Sequence, residues 1–61
     1  MVIEKSVLAI ITTNKEKVNG GAPIFICQDF EELQKTAANL EAILDGIAHA
    51  LSEEVFIIVK H

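Results

Sequence analysis

The segment VFIIVKH, at residues 55–61, constrains the fold of this chain more than any other. Side chains of a β-strand alternate between two faces, so a strand with one solvated face alternates apolar and polar residues. Here Ile57 points to one side together with its valine neighbours, while Phe56 and Ile58 point to the other. The pattern therefore predicts a strand with two apolar faces, both of which need cover.

The chain is too short to bury both faces of this strand easily with its own residues. We expect one small α+β domain spanning residues 1–61, and a domain of this size buries only about 60% of its unfolded surface. Cys27 is the only cysteine, which excludes an internal disulfide. One cysteine and two histidines also fall short of the four ligands of a structural zinc site. With 51% hydrophobic residues, the chain is expected to associate with other chains.

Runs of β-branched residues and clusters of turn formers divide the chain into strands, a loop and one helix. Pro23 donates no ladder hydrogen bond, so we expect it at the first residue or the edge of a strand. The predicted elements are a strand at Ser6–Thr13, a loop at Asn14–Pro23, a strand at Ile24–Gln28, a helix at Phe30–Leu51 and a strand from Val55 onward.

The predicted helix carries the clearest signals. Asp29 precedes it and Glu32 follows three residues later, which is a variant of the capping box with acidic residues where the helix dipole favours them. Gly46 inside the helix costs about 1 kcal/mol relative to Ala, and we expect close packing there. At helical periodicity the apolar stripe consists of Leu33, Ala37, Leu40, Leu44, Ile47 and Leu51.

These elements predict an α+β fold with the order β-β-α-β. A right-handed crossover through the helix makes the second and third strands parallel. The first strand then lies antiparallel between them, which gives a three-stranded sheet of order 2-1-3. One helix packs on one face of this sheet and leaves the other face apolar.

An uncovered apolar face of this size marks an interaction surface, and we expect self-association or docking on another protein to cover it. Strand periodicity does not decide whether Phe25 and Cys27 or Ile24 and Ile26 face the helix. A competing interpretation is that the N-terminal segment and the loop cover this face within one chain. The candidate interface residues are Leu8, Ile10, Phe25, Cys27, Phe56 and Ile58.

The loop between the first two strands is a second candidate site. Lysines beside glycine backbone can cradle an anion, which gives an alternative function: a small anion or nucleotide sensor, with the ligand at residues 14–23 or at an oligomer interface. A phosphate loop leads into a helix, however, whereas this loop leads into a strand. An ordinary connection, presented to a partner, is the other interpretation. The residues concerned are Lys15, Lys17, Asn19, Gly20 and Gly21.

Charge and composition exclude several functions. Nine acidic residues outnumber five lysines, with no arginine and a net charge of −4, whereas nucleic-acid binding needs a basic surface. Cys27 is expected to be a small buried hydrophobe, and we predict a non-enzymatic protein without cofactor or metal. The N-terminus MVIEKS lacks the plan of a signal peptide, and the longest apolar run is far below the ~20 residues that span a bilayer. We therefore expect a cytoplasmic protein that is not itself membrane-spanning.

Three segments resemble one known family: TTNKEKVNGGAPIF at residues 12–25, LEAILDGIAHAL at residues 40–51 and IIVKH at residues 57–61. TTNK followed by GGAPIF is fairly specific, whereas the helical segment is generic. Over essentially its whole length the chain is similar to the capping complex subunits for YIEGIA, short proteins of endospore-forming Firmicutes. The resemblance implies a small accessory subunit that caps the multispanning membrane protein YIEGIA from the cytoplasmic side, in a sporulation-related setting. It implies no catalytic or binding residues.

Overall fold

The computed structural model describes residues 7–60, so the expectations for Met1–Ser6 and for His61 lie outside it. Within these residues the chain forms four strands, a short 3-10 turn and one α-helix. Their bounds are β1 at Val7–Thr12, the 3-10 turn at Lys15–Lys17, β2 at Ile24–Ile26, α1 at Phe30–Leu44, β3 at Gly46–Ala50 and β4 at Val55–Lys60. The predicted α+β class is confirmed, with four strands in place of the expected three.

The strands form one mixed sheet in the order β2-β1-β4-β3. β1 is parallel to β2 and antiparallel to β4, and β3 is antiparallel to β4. The predicted order 2-1-3 is present as β2-β1-β4, with β3 added beside β4. The predicted antiparallel pairing of the first strand with the last is confirmed for β1 and β4. The other two predicted directions are wrong, since the second strand is parallel to the first and antiparallel to the last, because the crossover through the helix leads into β3 rather than β4. β3 is parallel to β2, and the hairpin that follows reverses the chain, so β4 is antiparallel to both.

α1 begins at Phe30, as predicted. The Asp29 carboxylate accepts a hydrogen bond from the Glu32 N–H at 2.8 Å, and the Glu32 carboxylate accepts one from the Gln28 N–H at 2.7 Å. These reciprocal bonds satisfy backbone donors that have no partner within the helix. The Phe30 ring then meets that of Phe56 on β4 edge to face, with centroids 6.0 Å apart. The first turn of α1 is thus fixed both by its cap and by the sheet.

α1 ends at Leu44, and the prediction that it continues to Leu51 is wrong. Asp45 follows in the left-handed conformation (φ 55°, ψ 46°), and its N–H donates to the Glu41 carbonyl. Asp tolerates this conformation better than most other residues. The chain then enters β3 without a linker. The reason is tertiary: β4 is apolar on both faces and takes a hydrogen-bonding strand on each side, which outweighs local helix propensity.

Gly46 begins β3 and packs closely, as predicted for this residue, although in a strand rather than in a helix. A Cβ at this position would lie 2.7 Å from Cγ2 of Ile58 and 2.8 Å from the carbonyl oxygen of Val59. Both distances are too short for carbon in a folded protein. A residue without a side chain is therefore required where β3 meets β4.

The hydrophobic core lies between α1 and one face of the sheet. Its buried members are Ala9, Ile11, Cys27, Leu33, Ala37 and Ile58. Leu33 and Ala37 belong to the predicted helical stripe and are buried as expected, whereas Ile47 and Leu51 lie outside the helix. Within residues 7–60, the single helix of 15 residues covers one face of the sheet, and no helix covers the opposite face.

β2 and β3 form the two edges of the sheet. On β3, the backbone N–H of Ala48 donates to Oε2 of Glu41 on α1, at 2.8 Å. Edge strands present unpaired backbone groups to which other chains can pair. The Glu41 carboxylate occupies one of these groups, so the β3 edge is guarded by the helix.

Candidate interaction surface

The face of the sheet opposite α1 is apolar. Register places on it the residues that alternate with the core residues: Ile10 of β1 pairs with Ile24 of β2 and with Ile57 of β4. Most of these side chains are half-buried or exposed, and Ile26 reaches 56% exposure. We call this surface the open face; its apolar residues are Val7, Ile10, Ile24, Ile26, Ile47, Val55, Ile57 and Val59.

One end of the open face forms a groove with a volume of about 310 Å³. Its floor is β-sheet, and its walls are the loop after β1 and the turn between β3 and β4. The wall residue Leu51 is 64% exposed. The lining consists of Ile10, Lys17, Val18, Asn19, Leu51, Ser52, Val55 and Ile57. Because isoleucine and valine form the floor, the groove suits apolar side chains of a partner protein.

The loop wall of the groove is held in place around Thr12, the last residue of β1. The Thr12 side chain is buried, its Oγ1 lies 2.6 Å from the Glu54 carbonyl oxygen, and it accepts a hydrogen bond from the Asn14 N–H at 2.9 Å. Asn14 in turn caps the 3-10 turn, since its Oδ1 accepts from the Glu16 N–H at 3.1 Å. These bonds tie the loop to the start of β4, so that the wall and the floor of the groove form one unit.

An ion pair strengthens the same junction. Nζ of Lys17 lies 2.7 Å from Oε1 of Glu54, with the two side chains 50% and 42% exposed. A pair this exposed to solvent contributes no more than a few tenths of a kcal/mol. Its main effect is positional, because it holds Lys17 at the rim of the groove beside a carboxylate.

The predicted loop residues are divided between two environments. Lys17 and Asn19 line the groove. Lys15, Gly20 and Gly21 are exposed, and a Cβ added at either glycine would meet no atom within 4 Å. The lysine that reaches the groove is neutralised by Glu54, and the loop leads into a strand, which differs from the arrangement of a phosphate loop.

The predicted interface residues are also divided. Ile10 lies on the open face and lines the groove. The other members lie on the helix side of the sheet or pack against the core there: Leu8, Phe25, Cys27, Phe56 and Ile58. Among these, Phe25 is at the sheet edge and 39% exposed, whereas Ile58 is fully buried. Of these predicted residues, a charge at Ile58 would therefore disturb folding, whereas a charge at Ile10 would test docking through the open face.

Sequence reasoning missed part of the open face. Ile24, Ile26 and Ile57 share a face with Ile10, and strand alternation was the signal for them, although it did not reveal which face the helix would cover. Leu51 and Ile47 were assigned to the helix and were therefore not considered. The turn-forming dipeptide Asp45-Gly46, at residues 45–46, was the signal that could have moved them into the sheet.

Residues 7–60 contain no group of three His, Cys, Asp or Glu side chains arranged to hold a metal ion. Cys27 is buried, and its Sγ donates a weak hydrogen bond to Oγ1 of Thr36 at 3.6 Å. In the same part of the chain, no helix combines the length and the apolar character needed to cross a membrane.

Comparison with known proteins identifies relatives over nearly the whole chain. The family described as "Capping complex subunit for YIEGIA" matches residues 4–61. The uncharacterized protein YpzH of Bacillus subtilis (strain 168) is 54% identical over 59 residues, covering 97% of this chain and 92% of that protein. No solved structure matches the chain. The family description names a subunit of a complex rather than an enzyme. The resemblance found in the sequence is confirmed: this chain belongs to the family of capping complex subunits for YIEGIA.

Proposed function

We propose that this chain is a non-enzymatic accessory subunit that caps YIEGIA by docking on it through the open face. The family description supports this proposal, because a capping complex subunit implies a partner complex and its wording points to YIEGIA. The observation that carries the proposal is the open face itself, where Ile10 and Ile57 form the floor of a groove on the side of the sheet away from α1. Apolar surfaces of this kind mark protein–protein contacts.

The charge of the chain favours a protein partner at the membrane. Its net charge of −4 suits the cytoplasmic loops of membrane proteins, which are enriched in lysine and arginine. The same charge opposes binding to anionic lipid, which attracts basic segments. In this proposal the chain is cytoplasmic, is held at the membrane by YIEGIA alone, and acts in a sporulation-related setting.

The groove gives the docking a specific anchor. Val18 of the loop and Leu51 of the turn between β3 and β4 both line the groove, so an apolar side chain of YIEGIA seated in it would meet both and leave water. Full burial of one such side chain contributes roughly 1.5–3 kcal/mol. Loss of this anchor is therefore expected to weaken binding by about ten- to a hundredfold.

The test is co-purification of the tagged chain with YIEGIA in detergent, followed by measurement of the dissociation constant. Leu51→Lys places a charge on the groove wall and is expected to weaken binding at least tenfold. The matched control is Ile43→Lys, because Ile43 is 72% exposed on α1, away from the open face. Circular dichroism and urea unfolding of each variant confirm that the fold is retained.

The variants separate the possible docking surfaces. Wild-type affinity in Leu51→Lys, together with loss of affinity in Ile43→Lys, would move the interface to the helix and overturn the proposal. A wild-type chain that does not bind YIEGIA in this assay would overturn it as well. Ile57→Lys, on the floor of the groove, serves as a second open-face variant and is expected to behave like Leu51→Lys.

A further inference from the structure

We propose that two copies of this chain pair along β2, antiparallel, to form one continuous sheet around a two-fold axis at Phe25. The pairing uses the edge of the sheet, whereas docking on YIEGIA uses its open face. The two proposals are therefore independent, and either can fail without the other.

β2 has backbone groups directed away from its neighbour. Its ladder with β1 begins at the Pro23 carbonyl and ends at the Cys27 N–H, each in a 2.8 Å hydrogen bond to β1. Because backbone groups alternate along a strand, the N–H and C=O of Phe25 also point to β1, and those of Ile24 and Ile26 point outward. Among residues 7–60, no hydrogen bond engages these outward groups. They are the groups that a further strand would bond.

The side chains of β2 favour an apolar strand as that neighbour. Ile24, Phe25 and Ile26 are 38%, 39% and 56% exposed, so that the edge is apolar on both faces of the sheet. Natural sheets usually protect an edge with a charge, a bulge or a covering element. The opposite edge has such protection, because Glu41 occupies the Ala48 N–H. The difference between the two edges singles out β2.

In one register, a second copy of β2 forms hydrogen bonds with every outward N–H and C=O group of the first copy. With Phe25 opposite Phe25 of the partner subunit, Ile24 lies opposite Ile26 of the partner subunit, and each such pair exchanges both hydrogen bonds. Cross-strand pairs of aromatic and β-branched residues are among the stabilising ones. The ladder ends at Gln28, whose N–H is already bonded to the Glu32 carboxylate. The strand therefore specifies its own partner segment.

The same geometry limits the assembly to two copies. The axis stands perpendicular to the sheet, so both open faces lie on one side and the guarded β3 edges lie at the two outer ends. An isologous pair of this kind is closed, because both subunits use the same β2 edge and neither has a second such edge for a third copy. The antiparallel arrangement also sends the acidic helix starts, at Asp29 and Glu31, away from the axis in opposite directions, so that they do not repel each other.

The first experiment is the solution mass of the purified chain by sedimentation equilibrium, from micromolar to millimolar concentration. We expect a monomer–dimer equilibrium with no larger species. Ile26→Pro removes an outward N–H that makes no bond within the chain and is expected to give a folded monomer. Leu51→Lys, on the groove wall, is the matched control and is expected to remain a dimer. A wild-type chain that is monomeric throughout would overturn the proposal, as would a dimer lost in Leu51→Lys but kept in Ile26→Pro.

A second experiment keeps the test decisive if Ile26→Pro does not fold. In the proposed register, the Cα atoms of the two Phe25 residues lie about 4.5 Å apart, within the range of about 4.4–6.8 Å that a disulfide bridges. Phe25→Cys is therefore expected to form a covalent dimer under mild oxidation. Ile43→Cys controls for collisions, because Ile43 is more exposed than Phe25. Equal rates of cross-linking in the two variants would contradict the pairing.

Discussion

Glu41 on α1 and Ala48 on β3 are joined by a hydrogen bond that runs from a helix to the outer edge of the sheet, with Oε2 2.8 Å from the amide nitrogen. The two residues lie on either side of the turn at which α1 ends. The bond therefore fixes β3 against α1 and at the same time occupies an edge donor.

We predict that Glu41→Ala lowers the free energy of unfolding by about 1 kcal/mol, because a hydrogen bond to a charged acceptor is lost at a site that water can reach. Urea unfolding measures this change. Glu41→Gln keeps an acceptor at the same position and is expected to lose less than half as much. Light scattering of Glu41→Ala should also show species larger than a dimer, since the β3 edge is then open. Equal stability of the two variants would contradict the role given to the carboxylate.

Gly46→Ala is expected to destabilise the fold by about 2 kcal/mol through overpacking. The added Cβ would lie 2.8 Å from the Val59 carbonyl oxygen, a backbone atom that cannot rotate away. Gly21→Ala makes the same chemical change where a Cβ would meet nothing within 4 Å, and its effect should lie within about 0.5 kcal/mol of zero. Thermal and urea unfolding compare the two. A neutral Gly46→Ala would mean that β3 lies further from β4 than described.

Thr12→Val is expected to cost about 2 kcal/mol, because it keeps the shape of the side chain and removes the hydroxyl that serves both the Glu54 carbonyl and the Asn14 N–H. Thr12→Ser keeps the hydroxyl and loses one methyl group, for about 1 kcal/mol. Urea unfolding gives both values. If the serine variant were the less stable of the two, packing of the methyl group rather than hydrogen bonding would hold this junction together.

Asp29→Ala removes the side chain that accepts from the Glu32 N–H and should cost about 1 kcal/mol. Asp29→Ser retains an acceptor at the N-cap and is expected to stay close to wild type. The measurement is the urea midpoint together with helical circular dichroism. A stable Asp29→Ala would indicate that the Gln28–Glu32 hydrogen bond and the contact between Phe30 and Phe56 suffice to fix the start of α1.

The two ends of α1 show what could be predicted from the sequence and what could not. Its start depends on Asp29 and Glu32, which act locally through hydrogen bonds within one turn, and such signals are visible in sequence. Its end depends on whether residues 46–50 have the lower free energy as a continuation of the helix or as a strand paired with β4. That choice is made by a neighbour distant in sequence, so helical periodicity alone gave the wrong answer.

The sequence was sufficient to predict that one apolar face of the sheet lacks a helix, but not which residues lie on that face. Strand alternation groups Ile10 with Ile57, and it groups Phe56 with Ile58, without saying which group the helix covers. That assignment depends on the side of the sheet to which α1 crosses. The groove needed still more information, because Val18 and Leu51 belong to two connections that meet only in the folded chain.

The central pair of strands, β1 and β4, also determines how this chain must fold. Thr12 pairs with Val55 and Ile11 with Phe56, so the middle of the sheet joins segments more than 40 residues apart in a short chain. Topologies dominated by such distant contacts fold slowly for their size. During synthesis β1 emerges first and has its antiparallel neighbour only after β4 has followed, so its apolar residues are exposed in the meantime. We therefore expect the native sheet to be completed only after β4 has been translated.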